Sequence, residues 1–372
     1  MLHERMYLFH LSIYTMKKLY SLGAVFLLLM QAAGTAQTKD TASCCSYYNC
    51  CRPDGQAPLG IMTDHMHGKG QWMVSYSYMN TAMMGMRNGS SKISDDDVFK
   101  NYYSSASSMN MQMHMLMLMY GVSDKLSLMA MGSFNINTMS MNMDPTMQMH
   151  MADGMNMPPT NMSMKTSGVG DTKIYALYKL ADKQNARVIA GLGCSLPTGS
   201  IQQKTETVAG DTAKTAYNMQ NGTGSIALIP SITYVGQSND VSWGASANAI
   251  LQTGANSEGY QWGNQLTGTG WVAYKCASFF SISARLEAGN VGMIKGYDQQ
   301  IAVYAANDPT ANTANYGGTT VSALLGINFY VPKGICKDLR IAFEFGAPFY
   351  QNLNGMQPSL QNSLHAGIRY TF

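Results

Sequence analysis

From residue 71 to the end, apolar and polar residues alternate with a period of two, in segments of about ten residues. Each segment keeps one greasy parity. In 71–79, Trp72, Val74, Tyr76 and Tyr78 share one face, and Met73, Ser75, Ser77 and Met79 the other. In 126–137, Leu126, Leu128, Ala130, Phe134 and Ile136 oppose Ser127, Met129, Met131, Ser133 and Asn135. In 173–180, Ile174, Ala176, Tyr178 and Leu180 oppose Lys173, Tyr175 and Lys179. The pattern recurs at 109–120, 187–196, 225–235, 243–252, 268–276, 280–288, 321–330, 339–349 and 364–372, which gives 12 predicted strands, an even number.

The connections alternate in length. GVSDK, ADKQNA, GQSNDVS and PKGICKD are short, whereas 80–108, 138–167, 198–224 and 291–319 are long. Short turns at one end and long loops at the other are the signature of an outer-membrane barrel. A soluble sandwich would bury apolar residues on its inner faces. Here the polar parity holds Arg285, Glu287, Arg340, Glu344, His365 and Arg369, which suits a wet lumen. The predicted fold is therefore all-β: an antiparallel transmembrane β-barrel of about 12 strands, with short periplasmic turns and long outer loops. The ending LHAGIRYTF alternates to a terminal aromatic, as in the last strand by which the barrel assembly machinery recognises its clients.

The N-terminus adds an export signal. Lys17 and Lys18 precede an apolar run from Leu19 to Met30, and Gly34 and Ala36 are small. This reads as a signal peptide over 1–36, with Met16 as the true start. Residues 37–70 form a Cys- and His-containing leader, expected in the periplasm outside the barrel or as a partial plug, and 71–372 is the barrel. Charged residues are only 12% of the chain. Without Glu4, Arg5, Lys17 and Lys18 the net charge falls from +3 to +1, so no basic patch for nucleic acid exists. The expected surroundings are outer-membrane lipid.

Methionine is the unusual component. Of 32 residues, 25 fall between Met62 and Met164. In MNMQMHMLMLMY every odd position from Met109 to Met119 is Met, while Leu116, Leu118 and Tyr120 take even positions. If the leucines face lipid, Met109, Met111, Met113, Met115, Met117 and Met119 face the lumen, with Met129, Met131, Met73 and Met79 beside them. A second set, including Met141, Met143, Met147, Met149 and Met151, alternates with polar residues in a predicted outer loop, where nothing apolar is at hand to pack against. Methionine often fills irregular apolar gaps. Thioether sulfur is also a soft ligand that suits Cu(I), and by the same logic Ag(I). His65, His67, His114 and His150 add imidazoles near these sulfurs. Cys44, Cys45, Cys50 and Cys51 form CC-x4-CC, equally readable as disulfide partners in an oxidising periplasm or as soft-metal thiolates. All of these residues are candidate metal ligands, with no cofactor obligatory. Asp95, Asp96 and Asp97 read better as a solvated acidic turn than as a Ca²⁺ site.

Three stretches carry a family resemblance: APLGIMTDHMHGKGQWMVSYSYM, MHMLMLMYGVSDKLSLMAM and SGVGDTKIYALYKL. Across 58–180 the chain resembles outer-membrane barrels of the phenol meta-pathway degradation (MetA-like) family, whose methionine-rich members look like companions of copper and heavy-metal efflux systems. The resemblance implies a transporter-like barrel handling soft metal ions, with periplasmic metal-efflux components as possible partners. The alternative is a passive channel for small hydrophobic or aromatic compounds, or a structural barrel with no metal role. No G-x-S-x-G motif and no Ser/His/acid set is present, so an enzyme is not expected.

Overall fold

In the computed structural model, which describes residues 51–146, 149–150, 156–157, 161–183, 185–206 and 212–372, the alternating segments join one antiparallel sheet that closes on itself. The signal segment, Cys44, Cys45, Cys50, Met147 and Met151 lie outside the described residues. The strands begin with β1 (Trp72–Gly89), β2 (Ser91–Ile93), β3 (Ser104–Ser123), β4 (Leu126–Met143), β5 (Met149–His150), β6 (Asn156–Met157), β7 (Met162–Val169) and β8 (Thr172–Lys183). They continue with β9 (Ala186–Leu196), β10 (Lys204–Glu206), β11 (Thr212–Lys214), β12 (Ala227–Gln237), β13 (Val241–Gln252) and β14 (Tyr260–Gln261). The last are β15 (Gln265–Ala277), β16 (Phe280–Val291), β17 (Lys295–Gly296), β18 (Gly318–Tyr330) and β19 (Arg340–Thr371).

The main sheet holds 13 strands, of which β2 and β7 only extend their neighbours, leaving eleven in the closed wall. A ring in which every neighbour is antiparallel needs an even number of passes. The 32-residue β19 supplies the extra one. Its arm 340–353 pairs with β18, and its arm 356–371 pairs with β1 in the opposite sense. The reversal falls at Asn354-Gly355, where Gly355 takes a φ of 65° that a side chain would disfavour. Gln351 on the first arm accepts from Leu360 N at 3.0 Å on the second. The wall therefore makes the twelve passes expected from the alternation.

The parity assignment holds. Leu116, Leu118, Leu128, Phe134, Ile174 and Tyr178 are exposed on the outside, while Met117, Met119, Met129 and Met131 are buried inside. Trp72 and Tyr120 pair their rings at 4.5 Å where β1 and β3 meet the short-turn end, as an aromatic girdle would. The short turns are as expected. Two of the long outer loops are not: β1 continues to Gly89, β3 already starts at Ser104, and β4 and β7 occupy most of the ends of 138–167. The wall rises beyond the membrane because the alternation of small polar and methionine residues there still satisfies a pleated sheet. Between them sits helix α1 (Asp95–Phe99), two of whose acidic residues hold it in place: Ser94 and Asp97 form a capping box, and Asp95 accepts from Ser105 and Asn142.

The described part of the leader, 51–70, lies within the barrel and bonds to its inner face on several sides. Ser242 Oγ donates to Asp54 O at 2.6 Å, Thr63 meets Thr233 at 3.0 Å, and His67 N donates to Ser127 Oγ at 3.1 Å. Arg369 Nη1 donates to Gln56 Oε1 at 3.2 Å and Gly60 N to Glu344 Oε2 at 3.2 Å. The segment thus takes the second of its two expected placements, a plug. At Gly121 a Cβ would fall 2.7 Å from His67 O, so the plug backbone can cross β3 only over a glycine. Because the sheet is closed, unheated protein should migrate faster on an SDS gel than boiled protein; identical migration would contradict the barrel.

Candidate functional site

The interior divides the methionines of β3 into three groups. At the short-turn end, Met117 and Met119 pack with Met73, Met129 and Met131 and with the plug's Met66 and Met62. At the outer end, Met109 is buried with Met86, Met139, Met141 and Met164 under Ala216 and Met219 of an outer loop. Asn218 Nδ2 points at Met109 Sδ from 3.3 Å. Between these two packed layers, Met111, Met113 and Met115 line a cavity of about 590 Å³, which Met109 of the outer layer also borders.

Register explains how the layers form. Along one strand, sulfurs at M-x-M spacing stand about 7 Å apart at the backbone. Directly opposed residues on neighbouring strands stand closer, about 4.5–5.5 Å. Met83 faces Met109, Met109 faces Met139, and Met139 faces Met164, a rung across four strands. Lower down, Met73 faces Met119 and Met119 faces Met129.

The remaining cavity wall mixes Met131, Ile250, Trp262 and Tyr316 with Asn and Gln side chains, and its charged residues are Asp171 and Lys173. Asp171 sits at the break between β7 and β8. It accepts from Gly199 N at 3.0 Å, from Thr223 N at 2.9 Å and from Thr223 Oγ1 at 2.7 Å, tying the outer loop to the wall. The outer loops are further held by Tyr217, whose ring meets those of Tyr260 and Tyr316 edge-on, at 4.9 and 5.7 Å. Lys214 pairs with Asp298 at 2.6 Å beside them. This aromatic cluster had no periodic signal in the sequence, because it is built from three separate loops.

The candidate ligands are not all brought together. Met109, Met111, Met113 and Met115 line the cavity; Met109 belongs also to the layer above it and Met131 to the floor beneath it. Met143 ends β4 opposite Ser104. Met149 and His150 pair their backbones with Met157 and Asn156 in the short ribbon of β5 and β6. Met141 is a strand residue buried in the outer apolar layer with Met139 and Met164, where packing gives methionine a use. His114 is set apart from the methionines. It stands at an even position of β3, turns outward, meets Tyr76 OH at 2.7 Å and lies against the Tyr78 ring. It cannot join thioethers that point the other way. Cys51 is exposed.

His65 and His67 come together in the plug, with ring centres 5.5 Å apart. Burial, and then the neighbouring His65, push His67 down to about 3, so its ring is neutral. Burial alone would raise the Asp64 carboxyl, but the adjoining His65 and Arg369 hold it below the ordinary carboxylate value.

No family model matches the chain, and no curated protein matches it. Solved structures share its fold. The COG4313 outer-membrane channel from Pseudomonas putida F1 aligns at a TM-score of 0.53 and 14% identity, over 82% of this chain and 96% of its own. A Pseudomonas aeruginosa FadL homologue aligns at 0.43 and 12% identity, over 90% and 98%. The CymD monoaromatic hydrocarbon channel aligns at 0.36 and 10% identity, over 82% and 88%. With the closed barrel, the first of these places the chain among outer-membrane β-barrels.

Proposed function

We propose that this chain is a passive outer-membrane channel for small apolar or aromatic molecules, which it receives in the cavity between the outer loops and the plug. One observation carries the reading: about 590 Å³ of space lined by methionine thioethers, Ile250, Trp262 and Tyr316, together with Asn and Gln side chains and the opposite charges of Asp171 and Lys173. That volume lies in the range of small-molecule sites, which are mostly apolar with sparse polar groups. Thioethers are polarizable and make favourable contacts with aromatic rings. Handling of soft metal ions along the whole methionine ladder has less support, because the two ends of the ladder are consumed in packing.

Trp262 lines the cavity and can report its occupancy. Titrating the refolded barrel with toluene should give a saturable change in tryptophan emission that disappears in Trp262→Phe. Met113→Arg, which places a charge in the cavity, should abolish it as well. A linear, unsaturable response, or one that survives Trp262→Phe unchanged, would count against the cavity as the binding site.

A further inference from the structure

The cavity wall holds one ammonium that no group among the described residues caps. Lys173, near the start of β8, stands on a rung between Met131 of β4 and Ser195 of β9, and all three line the cavity. Tyr175, two residues further along the same face, already belongs to the packed floor. Lys173 therefore stands where the open space meets that floor. Other inward-pointing bases of the barrel have carboxylates of their own. Lys179 and Arg187 share Asp182, at 2.7 and 3.2 Å, and Arg285 holds Glu344. Among the described residues Lys173 makes neither an ion pair nor a hydrogen bond. Asp171, two residues earlier, is the one carboxylate in the cavity wall. Both of its oxygens are turned to the outer loop: Oδ1 accepts from Gly199 N, and Oδ2 from Thr223 N and Oγ1. An ammonium offers three donors, and a thioether is only a weak acceptor. A charge-assisted hydrogen bond to an anion is roughly twice as strong as a neutral one.

We infer that the ligand of this cavity is an apolar molecule carrying a single carboxylate, and that Lys173 is the residue that binds the carboxylate. The inference rests on the channel reading and narrows it. The apolar body lies against Met111, Met113, Met115 and Trp262, where burial and sulfur contacts hold it. The carboxylate meets the ammonium at the floor. A neutral molecule of the same shape would expel the water around Lys173 and give its charge no acceptor in return, which is costly. Asp171 sets the upper limit of charge. Its fixed negative charge lies beside the site, so a dianion such as a phosphate monoester is repelled and only half neutralised. Selectivity is then the difference between a monoanion and its neutral or doubly charged analogues.

The test titrates the barrel, refolded with its plug, with benzoate, benzamide, toluene, phenyl phosphate and acetate. Tryptophan emission is the readout, and Trp262→Phe is the blank. Benzoate and benzamide share a shape and differ in charge. Benzoate should bind about tenfold tighter than benzamide, or more. Phenyl phosphate should bind more weakly than benzoate, and so should acetate, which has the charge without the ring. Lys173→Met should erase the preference for benzoate over benzamide and leave toluene as tight as before or tighter. Lys173→Arg should restore the preference. Should Lys173→Met fail to fold, the benzoate-to-benzamide ratio of the parent chain and its loss in Lys173→Gln decide. Equal binding of benzoate and benzamide, with toluene still bound, overturns this inference and leaves the channel reading standing. Saturation by none of the probes overturns both. A preference for benzoate that survives Lys173→Met overturns the role of Lys173, and acetate or phenyl phosphate binding as tightly as benzoate overturns the ligand class.

Discussion

Leu116→Arg should destabilise the barrel by about 2–4 kcal/mol, and Met115→Arg, one residue away, by much less. Leu116 is 44% exposed on the outer face, in the stretch of β3 above the Trp72–Tyr120 girdle, where lipid must surround it. An arginine there has no partner and must snorkel or thin the bilayer. Met115 points the opposite way into the cavity, where its replacement keeps access to Asn and Gln side chains. Met117 is not an equivalent control. It is 5% exposed and packed with the plug's Met66, so arginine at that position would break a filled layer. Folding of each variant into lipid vesicles, followed by urea titration, separates the faces. Equal losses at Leu116 and Met115 would refute the assignment of inside and outside.

Arg285→Met should cost about 3–5 kcal/mol and loosen the plug, while Arg285→Met combined with Glu344→Met should recover most of that loss. Arg285 Nε and Nη2 grip the two oxygens of Glu344 at 2.7 and 2.9 Å, and a third contact reaches Glu287. Arg285 and Glu344 are each 2% exposed. Removing one partner strands the other charge away from water, whereas removing both removes the desolvation problem together with the attraction. The plug is part of this pair: Gly60 N donates to Glu344, and a Cβ on Gly60 would stand 2.8 Å from Arg285 Cζ. The single variant should therefore also raise the conductance of the barrel in planar bilayers. An unchanged urea midpoint and unchanged conductance in Arg285→Met would show that the pair does not hold the plug.

How far the sequence reached can be judged residue by residue. Alternation is a local property of the pleat. Each strand's inward and outward sets were therefore legible, and so were the charges Arg285, Glu344 and Arg369 on the lumen side. The same rule assigns His114 outward, against its place among the candidate ligands. The rise of β4 beyond the membrane was obscured because loop-like composition, with Asn, Ser and Asp among the methionines, also fits a sheet edge that stands in water. The aromatic cluster of Tyr217, Tyr260 and Tyr316 carried no signal, since its members are tens of residues apart and meet only through folded loops.

The order of residues by itself determined that this is a membrane barrel, how many times it crosses, and which side chains meet lipid, because a period of two and the length of each segment are fixed within a single strand. Which methionine faces which was decided only by closure, since register couples strands that the sequence keeps apart. The same is true of the plug. His65 and His67 are two residues apart in the chain, but Met73 Sδ reaches His65 because the segment turns back at Gly68–Gln71 before β1 begins, a contact that exists only once the barrel gives the plug a wall to pack against.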